Sequence, residues 1–156
     1  ELTRVALKGA GGLVPLATIL LLALALGDVT KTLQTGRYVA QLTVGSLPPV
    51  AFLPLVFLVS ATIAFSTGTS WGTFAIMLPV AVPVASTLGL PASPFVAAVL
   101  SGGVFGDHAS PISDTTIVAS MAAATDHIDH VRTQLPYALI AGALAAGGFA
   151  ITGVLL

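Results

Sequence analysis

Residues 106–116 read GDHASPISDTT. The stretch gathers two aspartates, a histidine, a proline and four hydroxyl residues. It ends a run from Tyr38 to Gly106 that holds no Asp, Glu, Lys or Arg. Whether these residues form a loop in water or a break inside an apolar helix decides the fold, and the surroundings decide between the two. Of 156 residues, 56% are hydrophobic and 7% charged, with a mean hydropathy of +1.03, against roughly 25% charged residues in a soluble domain. Such a chain belongs in a lipid bilayer, where one span takes about 20 mostly apolar residues. The net charge of −1 points to neither nucleic acid nor an anionic surface as partner. With no cysteine, disulfides and thiol chemistry are excluded.

Working outward, the apolar arm before the polar stretch, residues 95–105, has 11 residues, about 16 Å as a helix. An apolar pattern resumes only at 117–124. Neither half crosses alone, so 95–124 is expected to be one helix broken near the bilayer midplane, the arrangement transporters use to place helix ends around a substrate. Upstream, the arms 50–66 and 74–88, of 17 and 15 residues, reach about 22–26 Å and flank TGTSWGT at 67–73. They are expected to form a hairpin that dips into the membrane and returns, because irregular backbone at depth needs protein or a water-filled cavity around it. The competing reading makes TGTSWGT a surface loop with Trp71 at the lipid interface.

At the ends, residues 9–27 are expected to form a first span, with Pro15 near its entry. No small-residue cleavage pattern follows it, so it reads as a span and not a signal peptide. The start at Glu1 reads as the C-terminal piece of something longer. Arg4 and Lys8 before that span balance Lys31 and Arg37 after it, which leaves the orientation open. TDHIDHVRTQ, residues 125–134, is expected to be an interfacial loop with capping aspartates and Arg132 as counter-charge. A metal reading through Asp126, His127, Asp129 and His130 has no diagnostic ligand spacing. Pro136 is expected to open the last span, 136–156, in its first turn, with AGALAAGG at 141–148 for close helix packing. The fold class is therefore all-α integral membrane: a multi-span helical bundle with a re-entrant hairpin and a broken helix.

An aspartate at the centre of a membrane helix costs about 2.5–3.5 kcal/mol on insertion scales. Asp107 and Asp114 are thus expected to face a cavity or a ligand. Desolvation raises a carboxyl pKa and a bound cation lowers it, so one carboxylate can hold either a proton or a small cation. That competition is the minimal chemistry of cation/proton exchange. Hard cations take oxygen ligands. Ser110, Ser113, Thr115 and Thr116 supply hydroxyls beside the carboxylates, and Thr67, Thr69 and Ser70 supply more from the other break. Pro111 is expected to leave the carbonyl of Asp107 without its helical partner. Asp114, after the proline and among the hydroxyls, is the first candidate for the proton-linked carboxylate, and His108 is read as a structural hydrogen-bonder before a proton relay. Three other readings compete. The polar stretch could be an extramembrane loop in which Ser113 or Asp114 caps the next helix. An intramembrane aspartyl protease would need a glycine that is out of place before Asp107, and aspartates closer than the about 10 Å that seven helical residues give. A membrane scaffold without transport would use the polar residues for folding alone.

The segments IAFSTGTSWGTFAIMLPVAVPVA, AAVLSGGVFGDHASPISDTTIVAS and DHIDHVRTQLPYAL resemble the C-terminal half of NhaC-type sodium/proton antiporters. The resemblance runs from about Gly12 to the end of the chain. Members often carry Cys where this chain has Ala109, a change that removes no oxygen ligand. The resemblance implies a multi-pass protein of a bacterial or archaeal cytoplasmic membrane, exchanging Na+ for H+ with no cofactor. Both ions would be bound by Asp107 and Asp114. It also implies one of two inverted repeats, a missing N-terminal half as partner, and room for a homodimer. Members also exchange organic acids such as malate and lactate, or carry amino acids, and a helix N-terminus after the break would suit a carboxylate. The absence of a cationic group in the membrane region favours plain ion exchange.

Overall fold

The computed structural model describes residues 1–12, 14, 17–18, 21–22, 25, 28–29, 32–43 and 47–156. Every regular element among them is a helix. The expected first span, 9–27, lies partly outside the described residues, with 13, 15, 16, 19, 20, 23, 24, 26 and 27 not described. Its first residues belong to α1, Leu2–Gly12, which starts ahead of Gly9 because nothing in LTRVALK breaks a helix. A short α2, Thr35–Thr43, packs on α4.

The central hairpin is α3, Phe52–Thr67, entered through a 3₁₀ turn at Pro49–Ala51, and α4, Ser70–Thr87. Gly68 turns the chain at φ +68°, a left-handed value that only glycine takes without strain. Thr69 is extended, and its Oγ1 accepts the N–H of Gly72 at 3.4 Å. The expected arm 74–88 therefore starts four residues early. The reason is this cap, which recruits half of TGTSWGT into a helix. With 18 residues, α4 reaches about 27 Å. Pro79 and Pro83 sit inside it, as membrane helices tolerate.

The polar stretch is likewise more helical than expected. Helix α5 runs Ala92–Ala109, so its 18 residues include Gly106 to Ala109 and the arm expected at 95–105 is a full-length helix of about 27 Å. It stops where Pro111 forces its predecessor out of the α region: Ser110 is extended at φ −76°, ψ 131°. After residues 110–113 the chain re-enters a helix as α6, Asp114–Ala122. The last helix, α7, runs His127–Leu155. Pro136 is inside it and not in its first turn. Asp126 sets the earlier start, because its Oδ1 accepts the N–H groups of Ile128 at 2.9 Å and Asp129 at 3.2 Å. TDHIDHVRTQ is thus mainly the first turns of α7 and not an interfacial loop.

Packing fixes the directions. A Cβ on Gly102 would collide with the carbonyl of Phe57, and one on Gly106 with the carbonyl of Ala61. The two pairs advance together, so α3 and α5 run parallel and cross backbone to backbone, the contact that small residues four apart permit in lipid. Phe52, Leu53, Phe57, Met77, Ala81, Val84, Phe95 and Val99 form the core between α3, α4 and α5. Phe57 stacks on Phe105 with ring centroids 5.7 Å apart and meets Phe149 of α7 at 5.5 Å. Gly153 lies against Val50, so α7 returns antiparallel and ends beside the start of α3. Large apolar side chains such as Leu58, Trp71, Ile140, Leu144 and Ile151 point outward. Among the described helices, α4 and α7 are long and apolar enough to cross a membrane.

Candidate functional site

These directions bring the α3–α4 turn, the end of α5, the start of α6 and the start of α7 to one end of the bundle. The two polar interruptions meet there. A Cβ on Gly68 would lie 2.8 Å from the carbonyl oxygen of Ile112. The hydroxyl of Ser110, fully buried, donates to the carbonyl of Phe65 at 2.7 Å. TGTSWGT is therefore not a loop apart from the break.

Asp107 is buried, with 6% of its surface exposed. Ser113 Oγ donates to Asp107 Oδ1 at 2.6 Å, and Thr115 Oγ1 lies 2.8 Å from Ser113 Oγ. Ser113 holds the N-cap position of α6, yet its side chain makes no cap hydrogen bond. The hydroxyl that a helix start normally claims is turned to the carboxylate instead. The capping alternative thus does not describe Ser113. Asp107 Oδ2 receives no hydrogen bond among the described residues, and no salt bridge joins Asp107 to a cation among them. The second carboxylate oxygen is left open to a further partner.

The other expected donors are more scattered. Thr116 Oγ1 donates to the carbonyl of His108 at 3.3 Å. Thr67 Oγ1 turns back to its own helix, to Ile63 O at 2.8 Å, and is exposed. Thr69 caps α4, while Ser70 is half-buried and makes no side-chain hydrogen bond among the described residues. Asp114 is exposed in the first turn of α6, and its carboxylate has no hydrogen-bond partner among the described residues. The His108 ring, also exposed, bonds to none of them either, so the structural role expected of it falls to its carbonyl. The carbonyl of Asp107 is not left free as expected: the chain tightens at the helix end and Ser110 N donates to it at 3.1 Å.

Two contacts at the break escaped the sequence reading, which took His127 only as a candidate metal ligand and gave Gln134 no role. His127 Nε2 lies 2.6 Å from the carbonyl oxygen of Pro111, and its Nδ1 lies 3.2 Å from Ser120 Oγ. Gln134 Nε2 donates to the carbonyl of His108 at 2.6 Å. A signal for both existed: His127 and Gln134 continue, at helical spacing, the buried face of α7 that holds Ala138 and Gly142. With Asp126 engaged as a cap and His127 at the break, the metal reading of TDHIDHVRTQ loses its ligands. No group of three or more His, Cys, Asp and Glu side chains suited to a metal ion forms among the described residues. The donors around Asp107 are oxygens, the set a hard alkali cation takes.

Apolar helices with outward-facing apolar side chains, packed around a helix break beside a buried acid, are consistent with a helical bundle of the membrane class. The chain belongs to the Na+/H+ antiporter family, whose sequence profile matches residues 1–154. An uncharacterized protein of Haemophilus influenzae is 45% identical over 86% of this chain and 26% of its own length. An arginine/ornithine antiporter of Halobacterium salinarum is 38% identical over 70% of the chain and 22% of its own length. A malate-2H(+)/Na(+)-lactate antiporter of Bacillus subtilis is 32% identical over 85% of the chain and 29% of its own length. The chain thus spans about a quarter of the length of these curated relatives. No solved structure matches it. Membership in a family of antiporters places the chain among transporters and not enzymes, and bears out the resemblance read from its motifs.

Proposed function

We propose that this chain is the ion-binding repeat of a secondary antiporter that exchanges Na+ for H+ across a bacterial or archaeal cytoplasmic membrane. The observation that carries the reading is Asp107: a buried carboxylate with one oxygen held by Ser113 and the other open, and with no salt bridge to it among the described residues. Either cargo ion neutralises it. A proton on Oδ2 satisfies the group when outside acidity favours it, and Na+ displaces that proton through the same oxygen. Ser113, Thr115, Ser110 and Thr116 add ligand oxygens, since a hydroxyl that donates its hydrogen keeps lone pairs for a cation. Of the hairpin hydroxyls, Thr67 and Thr69 are committed to their own helices, which leaves Ser70 as the hairpin-side candidate. Asp114, weighted first by the sequence, takes second place here as the exposed acid at the rim, where it receives or releases the ion.

On this reading α3–α4 is a re-entrant hairpin and α5–α6 the broken helix of one inverted repeat. The matching repeat lies in the part of a longer transporter that corresponds to the rest of the relatives' length, and transport needs both. A second reading has a named basis: two relatives are called an arginine/ornithine and a malate/lactate antiporter. There the acid site would hold the coupling ion while an organic solute is exchanged.

Reconstitution of the full-length transporter in proteoliposomes separates the two. With a pH gradient imposed, sodium chloride alone is expected to collapse it. A gradient that responds only after malate, lactate or an amino acid is added transfers the assignment to solute exchange, and no response to any of them removes both.

A further inference from the structure

We infer that His127 and Gln134 are positioning residues for the ion site, clamping the helix break to α7 through its backbone carbonyls. The inference rests on the antiport reading above. Pro111 has no N–H, and the extended Ser110 ends the helical ladder of α5, so the carbonyls around residues 107–111 lose their usual donors. Local replacements are longer: Ser110 N reaches Asp107 O at 3.1 Å, Ser113 N reaches Ser110 O at 3.4 Å and Thr116 Oγ1 reaches His108 O at 3.3 Å. The two short replacements both come from α7, Gln134 Nε2 to His108 O and His127 Nε2 to Pro111 O, each at 2.6 Å. A carbonyl only accepts, so His127 carries its hydrogen on Nε2 in this contact.

The two donors are seven residues apart on one face of α7, about 10 Å along its axis, and they grip carbonyls three residues apart across the break. The same imidazole reaches Ser120 on α6 through Nδ1, so one ring touches both the break and the helix that follows it. The site side chains hang directly from the clamped segment. Asp107 precedes the carbonyl held by Gln134, and Ser113 follows the one held by His127 by two residues. The 2.6 Å bond from Ser113 to Asp107 therefore depends on where α7 holds residues 108–111. Below the clamp, Ala138 and Gly142 bury against the bundle and Gly142 meets the ring of Phe105. The helix that sets the break is thus itself anchored on the core, which contains neither His127 nor Gln134.

The test uses the full-length transporter in proteoliposomes with His127→Phe and Gln134→Met, which keep side-chain bulk and remove the donor, and His127→Gln, which restores one. Each donor loss is expected to raise the sodium concentration for half-maximal antiport about 5- to 10-fold, the worth of one hydrogen bond at the site. The maximal rate stays within about 2-fold of the parent, and His127→Gln recovers most of the lost affinity. A parent that responds to sodium while both variants keep its half-saturation overturns the clamp and leaves the antiport reading standing. If the parent does not respond to sodium, the antiport reading falls, and the clamp is then judged on labelling alone. Ile112 is exposed at the break, so Ile112→Cys, placed in a full-length background freed of any other cysteine, should react faster with a membrane-impermeant maleimide once either donor is gone. Unchanged labelling in both backgrounds, or the failure of both variants to accumulate as folded protein, overturns the positioning role.

Discussion

The crossing of α3 and α5 and the break at the end of α5 lie on the same helix and follow opposite rules. At the crossing, Gly102 and Gly106 bring two backbones into contact, and the space is filled by Phe57, Phe95 and Val99. One polar atom is buried there, Ser60 Oγ, without a partner. One residue beyond Gly106 the pattern inverts. Asp107, Ser110, Ser113 and Thr116 are buried, and their side chains reach each other or backbone carbonyls. The crossing holds the bundle by shape, and at the break hydrogen bonds surround a buried acid. The α3–α5 pair fixes where Asp107 emerges among these polar residues.

If that division holds, substitutions at the two places fail in different ways. The largest effect is expected from Gly106→Val, whose side chain would strike the carbonyl of Ala61. Overpacking at a backbone contact costs about 1–3 kcal/mol or more, so little folded protein should elute in detergent, and normal yield and melting temperature would break the comparison. Ser113→Ala should keep helix α6, because the hydroxyl caps nothing, with a smaller thermal loss than Gly106→Val from the missing bond to Asp107. Losing a hydrogen bond to a carboxylate should still raise the half-saturating sodium concentration about 10-fold. A thermal loss with unchanged transport would return Ser113 to a purely structural role. The smallest effect is expected from Asp126→Ala, which removes the cap of α7 at about 1 kcal/mol, seen as a lower melting temperature with half-saturation changed less than in Ser113→Ala.

The sequence announced the two interruptions clearly and their boundaries poorly. Proline and glycine mark backbone that cannot continue, so the hairpin turn at Gly68 and the break at Pro111 were legible. The helices around them run longer than the apolar arms because caps and polar first turns, Thr69 before α4 and Asp126 before α7, belong to helices without being apolar. The same cause hid His127 and Gln134, since a polar run read as a loop has no face. Burial also separated what composition made equal. Asp107 and Asp114 are the same residue type in one motif, and only packing shows that one is enclosed and the other exposed. Which backbone carbonyl each hydroxyl meets depends on contacts between helices far apart in the chain, such as Ser110 with Phe65, and no local pattern encodes them.

The most direct measurement is equilibrium binding of radioactive sodium to the purified full-length transporter, comparing the parent with Asp107→Asn and Asp114→Asn at equal folded concentration. Asp107→Asn is expected to bind sodium no better than background, while Asp114→Asn retains saturable binding with weakened affinity. Saturable, parent-like binding by Asp107→Asn would contradict this and move the ion site away from the buried carboxylate.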